Sequence, residues 1–123
     1  MNVQELLRKN RSYRRFHEDR RIEPQSLAGL VELTRLCPSS ANRQALKFLT
    51  ACSPQETDAI FPHLRWAAAL KDWPGPADGE RPAAYIVVLG DREIHSKFDV
   101  HCGILAQSIL LGAVEQGLGG CMI

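Results

Sequence analysis

The chain has no run of about 20 apolar residues free of charge and glycine, which excludes a membrane-spanning helix at the level of sequence. Its first residues, Met1-Asn2-Val3-Gln4-Glu5, lack the basic and apolar regions of a secretory signal, so a cytoplasmic protein is expected. An excess of one charge is also missing. A formal net charge of +1 gives no global case for nucleic acid or an anionic membrane, and aromatic residues are few at 7%. Cys37, Cys52, Cys102 and Cys121 show no C-x-x-C spacing, which argues against a zinc site or a redox dithiol and for reduced, mostly buried thiols. The four histidines are scattered. His95 and Asp99 stand at i, i+4 without a third ligand, so no metal site is expected. There is no G-x-G-x-x-G signature, internal repeat or low-complexity tract.

What remains is a 123-residue chain with 45% hydrophobic residues, which reads as one domain over residues 1–123 with a modest core. Asn2 followed by Glu5 is a capping arrangement for a short helix ending near Asn10. Glu23-Pro24 opens a second helix that stops at Cys37-Pro38, and Ser53-Pro54-Gln55-Glu56 opens another toward Phe61. Residues 47–52 predict a strand, and the apolar run 83–89 predicts a strand buried on both faces. Residues 63–71 suit one more helical stretch, whereas 73–82, with three prolines and two glycines, suits a loop acting as a lid or as a plain connector. The longest helix is expected from Ser96 to Gly117. It is apolar around most of its circumference and therefore demands burial inside a domain or between subunits. Cys121-Met122-Ile123 reads as the first residues of a further strand.

Two segments carry chemistry. Arg11-Ser12-Tyr13-Arg14-Arg15-Phe16 offers planar guanidinium groups and a hydroxyl suited to a phosphate, and Pro38-Ser39-Ser40-Ala41-Asn42-Arg43-Gln44 offers small polar and amide groups suited to a flat heteroaromatic edge. Taken singly, the first also reads as a surface arginine pair with a turn serine, and the second as a Pro-Ser-Ser turn with an Asx bend. Residues 8–21 hold seven of the fifteen basic residues, which leaves a solvated basic face or a basic-patch interaction surface open as well.

Together with Asp99, Gly103, Gln107 and the turn Gly117-Leu118-Gly119, the two segments make the chain resemble the FMN-dependent nitroreductase family over nearly its whole length. The resemblance implies an α+β fold with a central, mostly antiparallel sheet flanked by helices. Because the family continues with further strands and helices, it also implies truncation at the C-terminus. Arg11, Ser12 and Arg14 would hold the FMN phosphate, with Arg15 a weaker candidate and Phe16 a packing residue. Pro38, Ser39, Ser40, Asn42 and Gln44 would lie against the isoalloxazine. Asn10 stands where the family often has a basic residue. The resemblance further implies a homodimer with the flavin at its interface and electron transfer from NAD(P)H to a small aromatic acceptor, a nitro compound or a quinone, by a ping-pong mechanism. It names no catalytic side chain and no nucleic-acid or membrane partner. A non-catalytic flavin-storage protein is the alternative within the same motifs.

Overall fold

The computed structural model describes all 123 residues. Helix α1 (Val3–Lys9) begins where the sequence places its cap: the Glu5 amide donates to Asn2 Oδ1 at 3.0 Å and the Asn2 amide to Glu5 Oε2 at 2.9 Å. Helix α2 (Pro24–Leu33) carries proline in its first turn, where the missing N–H costs nothing, and tightens into a 3-10 turn over Thr34–Leu36 before Pro38. Strand β1 (Leu46–Ala51) leads to helix α3 (Pro54–Ile60), which is capped reciprocally by Ser53 and Glu56. Strand β2 (Tyr85–Gly90) and helix α4 (Asp99–Glu115) follow.

The strands pair antiparallel in a two-stranded sheet, from Leu46 opposite Gly90 to Ala51 opposite Tyr85. Phe48 and Ile86, on one face of this sheet, pack against a core of Leu30, Ile109 and Ala113, joined by Leu33 and Leu118. Gly112 permits this approach of α4 to α2, because a Cβ there would lie 3.1 Å from Leu30 Cδ2 and closer still to Leu33. At the end of α4, Gly117 takes φ +75°, a left-handed stop that glycine adopts without steric cost.

Four expectations are corrected. Residues 63–71 form no helix beyond a 3-10 turn over Phe61–His63. Leu64 is extended and Trp66 instead packs against Phe16, Phe61 and Trp73, with ring centroids 6.2–6.4 Å apart. The run expected to be a strand buried on both faces is only half-buried: Tyr85, Ile86, Val87 and Val88 are partly covered on either side, and at one end of the face away from the core Leu89 and Leu49 remain 49% and 50% exposed. Residues 121–123 form no strand, and the chain's second β contact is a single parallel bridge between Ser12 and Gly120. The four cysteines are free but half-buried rather than mostly buried, since the core is small.

The apolar circumference of α4 is only partly used. Leu105, Ile109, Ala113 and Val114 are buried, whereas Val100 stands 79% exposed. No helix is long and apolar enough to cross a membrane.

Candidate functional site

The segment after α1 has no regular structure beyond a bridge at Ser12, and it is held by the Tyr13 amide donating to the Gly120 carbonyl at 3.2 Å and the Phe16 amide to that of Glu80 at 2.9 Å. The fold divides the basic motif. Arg11, Tyr13 and Arg15 line a cleft of about 650 Å³ between the end of α1 and the end of α4. Ser12 faces its bridge to Gly120, and Arg14 turns inward, where its Nη1 is buried without any hydrogen-bond partner. Beside it, burial pushes the Cys121 thiol above its ordinary pKa, while a side-chain hydrogen bond with the Arg14 guanidinium and then its charge pull the other way; Nη1 is the Arg14 atom left without a partner.

A buried, unpartnered guanidinium nitrogen is costly, and its chemistry is that of a group built to meet an anion's oxygen. Arg15 is differently placed: its Nε and Nη2 donate to the Glu80 carboxylate at 2.7–3.0 Å, which holds that carboxyl below its usual range. Three more buried polar atoms lack partners: Trp66 Nε1, Arg81 Nε and the Tyr85 hydroxyl. Desolvation raises the Tyr85 pKa to about 12.

The second segment is a strained loop. Ala41, Asn42 and Gln44 all take φ of 50–51°, a region non-glycine residues seldom occupy and one often associated with functional sites. Local bonds fix it: the Gln44 amide donates to Ser39 Oγ at 3.2 Å, and Gln44 Nε2 donates to Asn42 Oδ1 at 2.8 Å. Arg43 tethers it by donating to His95 Nδ1 at 2.9 Å, and at its start Cys37 Sγ donates to Ser108 Oγ at 3.1 Å. Pro38, Ser40, Asn42 and Gln44 are exposed and Ser39 is half-buried.

No hydrogen bond joins the two segments within the chain. The loop is tied to the middle of α4 and to the residues before it, the basic segment to Gly120 beyond its other end. A helix of 17 residues spans about 25 Å. Arg43, His95, Glu80 and Cys121 escape the sequence reading as site residues. Only Arg43, adjacent to Asn42, carried a local signal, and the others reach the motifs through contacts distant in sequence.

The architecture is α+β, a short antiparallel sheet packed on a long helix. The chain belongs to the nitroreductase family, whose model matches residues 7–123. Among solved structures it is similar to a Parabacteroides distasonis protein assigned as an NADH dehydrogenase/NAD(P)H nitroreductase. The two are 26% identical, with 94% of this chain and 64% of that one covered and a TM-score of 0.72. An FMN-dependent nitroreductase of Clostridium difficile R20291 is 24% identical, with 95% and 63% covered and a TM-score of 0.72. A Desulfovibrio desulfuricans protein assigned as a nitroreductase and solved in complex with FMN is 24% identical, with 97% and 66% covered and a TM-score of 0.72. The chain thus spans about two thirds of their length or slightly less. No curated protein matches it.

Proposed function

We propose that residues 1–123 are the FMN-binding domain of a cytoplasmic flavin oxidoreductase that passes electrons from NAD(P)H to a small aromatic acceptor, a nitro compound or a quinone. The observation that carries this reading is the buried Arg14 Nη1 without an acceptor, two residues from Ser12, in the motif that by resemblance holds the FMN phosphate. The residues fit the cofactor. Arg14 and Ser12 would hold the phosphate, and Arg11 would contribute from the cleft side. Pro38, Ser39, Ser40, Asn42 and Gln44 would line the ring, where the Asn42 and Gln44 amides can donate to and accept from heteroatoms.

Bound FMN supplies reversible hydride and electron chemistry, so no side-chain nucleophile is required. The chain's part is to position the ring, through the loop stiffened by Ser39, Gln44 and the Arg43–His95 tether. The loop is tied to the middle of α4 and to His95 before it, and the basic segment to Gly120 beyond its C-terminal end, which favours a homodimer in which one chain's loop meets the other's basic segment.

The test is anaerobic. In the FMN-loaded protein, NADH or NADPH bleaches the oxidised flavin band and a quinone or nitroaromatic restores it, with parallel double-reciprocal lines when both substrates are varied. A flavin that neither nicotinamide reduces contradicts an oxidoreductase and returns the chain to the storage reading.

A further inference from the structure

The cleft behind the basic segment is unusual in its charge. Arg8, Lys9, Arg11, Arg15 and Arg20 line it together with His17, and no aspartate or glutamate does. Only Arg15 has an acidic partner, Glu80; the other four cations form no ion pair. Its remaining wall is apolar, formed by Phe16, Ile22, Ala83, Val114 and Leu118. Cations of one sign gathered over a low-dielectric wall repel one another and focus the field into the cleft, so an anion is the species that relieves them. A volume of about 650 Å³ is that of a small-molecule site rather than a macromolecular surface. A ligand that suits both walls has a flat, weakly polar ring system and more than one phosphate.

We infer that this cleft receives the phosphorylated adenosine half of the nicotinamide donor and selects NADPH over NADH. The donor's identity rests on the oxidoreductase reading above, whereas the cleft is a property of this chain alone and is probed without flavin. The 2′-phosphate that distinguishes NADPH adds about 1.5–2 negative charges at neutral pH, where Arg8, Lys9 and Arg20 have neither an acidic partner nor a part in holding the flavin. Arg14 does not line this cleft, and of the residues proposed for the flavin phosphate only Arg11 borders it, so Arg8, Lys9 and Arg20 belong to the cleft alone.

Isothermal titration of the 123-residue protein with adenosine 2′,5′-bisphosphate, 5′-AMP and inorganic phosphate tests this. The bisphosphate should bind at least about tenfold more tightly than 5′-AMP, the scale of one charge-assisted contact. It should also bind well ahead of inorganic phosphate. The exposed Arg8→Gln/Arg20→Gln variant should lose that preference while its melting temperature and FMN affinity stay unchanged. Equal binding of the two nucleotides, an unaltered preference in the variant, or inorganic phosphate matching the bisphosphate would each overturn the inference. So would displacement of the bisphosphate by FMN, since the cleft would then be the flavin site. If the nucleotide preference holds but the protein takes up no FMN, the flavin reading fails and the cleft survives.

Discussion

Arg14 and Arg15 are adjacent and chemically identical, yet the fold places them in different surroundings. The Arg15 guanidinium is already matched by Glu80, whereas Arg14 Nη1 is buried and has no acceptor. Replacing Arg14 by Ala is therefore expected to weaken FMN binding by about 1.5–3 kcal/mol, the scale of a hydrogen bond to a charged group, and Arg15→Ala by less. Flavin fluorescence titration of the two variants checks the order, and equal losses would contradict it. Tyr85 gives a second prediction. Its pKa, raised to about 12 by desolvation, lies above the unfolded value of about 10. The folded state therefore binds the extra proton, and Tyr85's contribution to stability is full below about pH 10 and lost as pH rises toward 12. Alkaline unfolding followed by circular dichroism should be less steep in Tyr85→Phe over that window. The motif arginines were legible in sequence because their chemistry is carried by residue type. Their division was not, because Glu80 lies 65 residues from Arg15.

Among the elements, those set by local chemistry were readable. The caps of α1 and α3 satisfy amides three residues away, and the stop at Gly117 needs only a left-handed glycine. The missing helix over residues 63–71 shows the opposite case. Its apolar spacing suits a helix, but Trp66 gains more from Phe16, Phe61 and Trp73 than from a helical turn. Sequence also could not show which residues of the long apolar helix face inward, since no face is polar. In the structure Gly112 marks the seam, where α4 meets Leu30 and Leu33 of α2. Gly112→Val should overpack that seam and cost about 1–3 kcal/mol, seen as a lower urea midpoint. Gly112→Ala should be nearly neutral, because better helix propensity, about 1 kcal/mol, offsets a contact that the ends of two leucines can relieve. A valine variant as stable as the wild type would contradict this packing.

For the whole molecule, the large apolar residues that α4 and the sheet leave exposed are Val100 and Ile104 in the first turns of α4 and Leu49 and Leu89 on the sheet. Ile109 is 7% exposed and belongs to the chain's own core, so Ile109→Glu should unfold the protein rather than only separate subunits. Val100, 79% exposed, is the position where a charge should separate subunits and leave the fold intact. Circular dichroism with sedimentation distinguishes the two outcomes, and a dimeric, folded Val100→Glu protein would move the interface elsewhere. In the proposed dimer two chains share each flavin, one presenting Arg14 and the other the Pro38–Gln44 loop. Sedimentation velocity of FMN-loaded protein, followed in the visible flavin band, decides whether they do. The flavin should travel wholly with a boundary of twice the chain mass, and lose that boundary in Val100→Glu. Flavin sedimenting with a single chain, or remaining free beside an intact dimer, would contradict it.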